Sequence, residues 1–73
     1  MSIQVDTYTG EMILVNALLN RDHHTSLAAF LAFKRSNGTS FENIARDLVD
    51  LVGIDGFNIG YQTARRWCQR VGA

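Results

Sequence analysis

The sequence predicts an all-α fold, a compact bundle of about four helices, and three observations carry that expectation. Apolar residues recur at spacings of three and four along most of the chain, the period of an amphipathic helix. Residues that cap helix starts precede these stretches, and Asn-Gly or Gly follows most of them. Alternation of the strand type is confined to Ile3, Val5 and Tyr8, too little for a sheet. At 73 residues the chain holds one domain, 1–73, with no internal repeat and no linker long enough to divide it.

Residues 1–8 are expected to form a short flexible arm. From Thr9 the pattern turns helical: Met12, Val15, Leu18 and Leu19 form a stripe that Ile13 and Leu14 widen. The polar run Asn20-Arg21-Asp22-His23 is expected to break it, giving a first helix near 9–20. A second helix starts at Thr25 or Ser26, either of which can cap it. Leu27, Phe30, Leu31 and Phe33 supply its core face, and Ala28, Ala29 and Ala32 allow close approach. Lys34 and Arg35 suit the negative end of its dipole, and Asn37-Gly38 stops it.

The third helix has the clearest signature. Thr39 lies three residues before Glu42, the spacing of a capping box. Phe41, Ile44, Ala45, Leu48, Val49 and Val52 then follow as an unbroken stripe, and Gly53 stands where a left-handed cap belongs. A turn containing Gly56, Asn58 and Gly60 leads to a fourth helix near 61–71, with Ala64, Trp67, Cys68 and Val71 inward and Gly72 at its end.

Composition narrows the function classes. Hydrophobic residues make up 47% of the chain and the net charge is zero, which argues against a disordered tail. The longest apolar run, Met12 to Val15, falls far short of the roughly 20 residues a membrane span needs. The N-terminus lacks the basic and apolar regions of a signal peptide, so a cytoplasmic location is expected. Cys68 is the single cysteine, which excludes an internal disulfide and a cysteine-rich zinc site. His23-His24 lacks the i, i+4 spacing of helix-borne ligands, so surface or capping roles are expected and no metal. With no glycine-rich phosphate loop and no triad spacing, neither an enzyme nor a cofactor or small-molecule ligand is expected.

Charge is unevenly placed. Residues 1–33 carry three acids against one arginine, and residues 34–73 carry six bases against four acids. The last fourteen residues hold Arg65, Arg66 and Arg70 and no acid. On a helical wheel, Gln62, Arg66 and Gln69 lie about 140–200° from Ala64, opposite the core stripe, with Arg65 and Arg70 flanking them. Such a face suits the DNA major groove: Arg can donate a bidentate pair to guanine and Gln can pair with adenine, while flanking arginines hold phosphates. Gln62, Arg66 and Gln69 are therefore expected at base edges and Arg65 and Arg70 at phosphates. Tyr61, Thr63 and Asn58 complete the set around the helix start. Thr39, Ser40 and Asn43, at the start of the third helix, are expected near the DNA backbone.

A helix, a turn and a second amphipathic helix with a basic outer face is a helix-turn-helix arrangement, with the small Ala45 where the two helices cross. The stretch Phe41-Glu42-Asn43-Ile44-Ala45-Arg46-Asp47-Leu48, followed after the turn by Thr63-Ala64-Arg65-Arg66-Trp67, resembles the helix-turn-helix of small bacterial and bacteriophage regulators. The resemblance covers about residues 38–71. It implies a helix-turn-helix over 39–71, supported by helices in 9–37, and repressor-like binding to double-stranded DNA. The turn is longer than the family's four-residue corner, with part of residues 50–60 inserted. Nothing follows Ala73, so no β-wing is expected. The first helix carries more apolar surface than three short helices can cover, which predicts a homodimer through Met12, Val15, Leu18 and Leu19. The alternative is a protein-interaction module that docks a partner on that same apolar face.

Overall fold

In the computed structural model, residues 8–73 are described, and all but Tyr8 of the expected arm lies outside them. The helices are α1 (Gly10–His23), α2 (Leu27–Ser36), α3 (Phe41–Val52) and α4 (Tyr61–Val71). Among the described residues there is no strand, and no helix is long and apolar enough to cross a membrane.

α1 begins where Thr9 Oγ1 accepts a hydrogen bond from the Met12 amide at 3.2 Å. It runs three residues beyond the expected end. Residues 20–23 are polar, but none of them is a backbone breaker. The Asn20 amide donates to the Asn16 carbonyl at 2.9 Å, Arg21 pairs with Asp22 at 2.8 Å, and Arg21 and His23 suit the negative end of the dipole. Loss of the apolar stripe marks the end of the core beside α1, not the end of the helix. The stop is His24, in the left-handed region at φ 55°, whose N–H reaches the Leu19 carbonyl.

Ser26, of the two candidates, caps α2 by accepting from the Ala29 amide at 3.0 Å. A second acceptor comes from α1: Asn16 Oδ1 takes the Leu27 N–H at 2.8 Å. Ser40, not Thr39, caps α3, with its Oγ accepting from the Asn43 amide at 3.2 Å. The cap therefore falls one residue later than the expected Thr39–Glu42 box, as a single bond, and the Thr39 carbonyl accepts from Arg35 Nη1 at 2.7 Å instead. Gly53, at φ 66°, ends α3 as expected.

The eight residues 53–60 between α3 and α4 are held from inside. Gly56 takes φ 87° in the turn that brings the Phe57 amide to the Ile54 carbonyl at 3.1 Å. Phe57 then packs against the core and Ile59 enters it. This connection thus adds two anchors that fix where α4 begins.

The core unites Met12, Val15 and Leu19 of α1, Leu27 and Leu31 of α2, Ile44, Ala45, Leu48 and Val52 of α3, and Ala64, Trp67 and Cys68 of α4. Burial of each large apolar side chain contributes about 1.5–3 kcal/mol. α3 packs more extensively on α4 than any other helix pair. The α1 seam expected to join two copies needs correction at this point. Met12, Val15 and Leu19 are buried within the chain's own core, and Leu18 is half-buried against it. The apolar residues that α1 presents outward are Ile13, 47% exposed, and Leu14, 58% exposed.

Polar ties join the helices around this core. Lys34 Nζ meets Asp47 Oδ2 at 2.8 Å, joining α2 to α3, and lies over the Phe30 ring. The Arg35 guanidinium lies over the Phe41 ring at 4.3 Å. His23 Nε2 lies 3.0 Å from the Leu51 carbonyl, a capping role at the end of α3.

Candidate nucleic-acid interface

α4 buries Ala64, Trp67 and Cys68 and exposes Gln62, Arg65, Arg66, Gln69 and Arg70, the division its helical period dictates. Tyr61, Gln62, Arg65, Arg66 and Gln69 line one shallow depression on the outer face. The three residues expected at base edges are therefore together, with Arg65 beside them. Arg70 is exposed in the last turn, and Thr63 is half-buried in the first.

A groove adjoins this depression where α3 meets the start of α4. It is lined by Glu42, Arg46 and Asp50 on the α3 side and by Asn58, Gly60 and Tyr61 on the other, over Ala45, Val49 and Ile59. Asn58 thus lies beside the α4 face, not on it. The groove's charge pattern was available from the sequence: Glu42, Arg46 and Asp50 stand four apart, so one helix face carries all three. The Glu42 and Asp50 carboxylates, with Arg46 between them, thus border the cationic strip of α4.

Ser40 and Tyr61 share a third hollow with Phe41 and Glu42. Tyr61 borders all three depressions and is 55% exposed, an aromatic ring at the junction of the two helices. Thr39, Ser40 and Asn43 gather at the α3 start, but their groups are engaged there. The Asn43 amide is held by Ser40 Oγ, and Asn43 Oδ1 accepts from Arg46 Nη1 at 2.8 Å. The helix start without a side-chain cap is that of α4, where Gly60 has no side chain to accept from the first-turn amides.

Lys34 and Arg35 belong to the fold, through Asp47, Phe30, Phe41 and the Thr39 carbonyl. Asp47 faces Lys34 across the seam between α2 and α3. Burial pushes the Cys68 thiol up from its ordinary range, an effect the nearby Arg35 charge partly opposes. The thiol is thus a poor nucleophile and packs as a small apolar group. Among the described residues, no three His, Cys, Asp or Glu side chains are grouped to hold a metal ion.

No family model matches the chain, and no curated protein or solved structure is significantly similar to it.

Proposed function

We propose that the chain binds double-stranded DNA sequence-selectively through α4, as a small repressor-like regulator of transcription. The observation that carries this reading is the gathering of Gln62, Arg65, Arg66 and Gln69 around one exposed depression. The opposite side of the same helix is core. A fold that fixes one face of a helix so firmly presents the other in a constant orientation, as readout of base edges requires. In this reading Gln62, Arg66 and Gln69 meet base edges, while Arg65 and Arg70 reach phosphates. The α4 amides that Gly60 leaves uncapped favour a further phosphate. The acidic border along Glu42 and Asp50 turns the duplex toward α4 and away from the groove.

Pairing of two copies belongs to the same proposal. A two-fold axis would set the α4 helices about 34 Å apart, one turn of DNA, and double the contacts. The outward apolar pair Ile13 and Leu14 is the surface for it. If a different protein occupies that pair, the chain is an interaction module.

Titration of a labelled mixed-sequence duplex, followed by anisotropy at several salt concentrations, tests the central claim. Binding should weaken steeply as salt rises, with a log–log slope of about −0.9 for each phosphate contact. Arg66→Ala should cost about 1–3 kcal/mol on a selected site and relax its sequence preference. Arg65→Ala should weaken all duplexes alike. Absence of binding at low salt, or binding indifferent to salt, would refute the proposal.

A further inference from the structure

We infer that Asn37-Gly38, in the turn between α2 and α3, is a site of spontaneous deamidation whose rate is set by the opening of a turn that Arg35 ties shut. The inference is independent of the DNA-binding reading and concerns a different part of the chain.

Of Asn16, Asn20, Asn37, Asn43 and Asn58, Asn37 alone precedes a glycine; the others precede Ala17, Arg21, Ile44 and Ile59. A side chain on the following residue crowds that residue's backbone nitrogen, and glycine has none. Asn37 and Gly38 are both exposed, and a Cβ at Gly38 would meet no atom within 4 Å. Among the described residues the Asn37 side-chain amide has no hydrogen-bond partner, so its Cγ is open to attack.

In the reaction the Gly38 backbone nitrogen gives up its proton to the solvent and bonds to Asn37 Cγ. The Cγ–Nδ2 bond breaks, and Nδ2 takes a proton and leaves as ammonia. One water molecule then opens the resulting succinimide. Water adding at Cγ gives aspartate; water adding at the Asn37 main-chain carbonyl carbon gives iso-aspartate, in which the chain runs through the side chain. The balance is one water in and one ammonia out, with no change of oxidation state, and either product carries one new negative charge.

The folded turn opposes this chemistry. Gly38 takes φ 76°, its N–H donates to the Arg35 carbonyl at 3.0 Å, and the Thr39 N–H donates to the Lys34 carbonyl at 3.0 Å. With Asn37 ψ at 2°, the Gly38 nitrogen is turned toward the Asn37 backbone nitrogen and away from its side chain. The bond to Cγ therefore needs rotation about Asn37 Cα–C, which breaks the Gly38–Arg35 hydrogen bond. The Arg35 side chain holds the turn as well: its Nη1 donates to the Thr39 carbonyl at 2.7 Å, and its guanidinium lies 4.3 Å from the Phe41 ring centroid. One residue thus bridges the turn by both main chain and side chain, and the reaction proceeds from the fraction of molecules in which this tie is open. The product fits the turn badly. A carboxylate at position 37 stands at the negative end of the α2 dipole, and iso-aspartate adds a backbone atom between α2 and α3.

The test incubates the full chain, folded and in denaturant, in one mildly alkaline buffer. Ion-exchange chromatography reads the added negative charge, and fragment mass spectrometry places it. Asp55-Gly56 can close the same ring but starts as a carboxylate, so it contributes no new charge. The charge should appear at residue 37, slowly in the folded chain and faster in denaturant. The ratio of the two rates should match, within about threefold, the protection of the Gly38 amide against hydrogen exchange, since both need the same N–H released. Arg35→Met, which keeps an apolar stem, should speed the folded reaction about two- to tenfold, the weight of one hydrogen bond, without changing the denatured rate. The converted chain should melt below the parent. The inference is overturned if neither sample gains charge at residue 37, if only the denatured one does, or if the two convert equally fast. A rate ratio that departs from the Gly38 protection, or an Arg35→Met rate equal to the parent's, overturns the gating by this turn. Should Arg35→Met fail to fold, the comparison with Gly38 exchange decides alone.

Discussion

Replacing Asn16 by Leu should destabilise the domain by about 1–2 kcal/mol, although Asn16 is only half-buried and belongs to no site. Its Oδ1 is the acceptor for the Leu27 N–H at 2.8 Å, across the α1–α2 corner. Leu27 is fully buried, and Ser26 is already committed to the Ala29 amide. Removing Asn16 Oδ1 therefore leaves a first-turn N–H facing apolar surroundings, which costs about 1–3 kcal/mol. Extra apolar contact from the leucine returns part of that, on the order of 0.5–1 kcal/mol for a half-buried side chain. For a domain of this size each kcal/mol moves the melting temperature by about 4–8 °C, so Asn16→Leu should melt roughly 4–16 °C below the parent. Thermal unfolding followed by far-ultraviolet circular dichroism reads this directly. Asn16→Asp separates the acceptor from side-chain volume, since it keeps the oxygen and places a charge at the positive end of α2, worth about 0.3–1 kcal/mol. The N–H and the dipole would depress that carboxyl's folded pKa below its unfolded value. Its added stability is thus present above the unfolded value and lost as pH falls through the folded one. Asn20→Ala, which loses only an exposed bond to the Asn16 carbonyl, should stay within about 0.5 kcal/mol of the parent. If Asn16→Leu melts with the parent, the corner is not held by this bond.

Cys68 should resist alkylation in the folded chain and react stoichiometrically in denaturant, as mass spectrometry of timed samples will show; labelling as fast as a free thiol would refute its burial. Because its folded pKa is raised, its contribution to stability is present below the ordinary thiol pKa and lost as pH rises through the folded value, so alkaline melts should show a loss that Cys68→Ala reduces. Leu14→Asp, at a 58% exposed position, should leave folding within about 0.5 kcal/mol of the parent and convert a sedimenting dimer to an 8.2 kDa monomer. A parent that already sediments as a monomer at micromolar concentration removes the dimer proposal; Leu18→Asp would not test it, because that side chain packs on the core.

How far the sequence could be read depends on the range over which each feature is decided. α3 and the division of α4 into core and outer face follow from spacings of three and four, which depend only on helix geometry, and Gly53 and Gly72 end those helices by a local backbone property. Thr39 and Ser40 mark the limit of such reading. Two adjacent hydroxyls are equally good caps, and the choice falls to Ser40 while the Thr39 carbonyl is drawn to Arg35. α1 fails for a different reason. A wheel counts the directions its apolar residues occupy but not the neighbours available, and residues 53–60 supply Phe57 and Ile59 to the core that absorbs Met12, Val15 and Leu19. The ties at Asn16–Leu27, Lys34–Asp47 and His23–Leu51 span 11, 13 and 28 positions, and no spacing rule brings their partners together. The candidate site divides in the same way. Gln62, Arg66 and Gln69 share a face by period alone, whereas Tyr61 and Gln62 are adjacent in the chain and about 100° apart on the wheel. Their hydrogen bond needs the length and tilt of a particular side chain, so a pattern that gives the face of the helix does not give this contact.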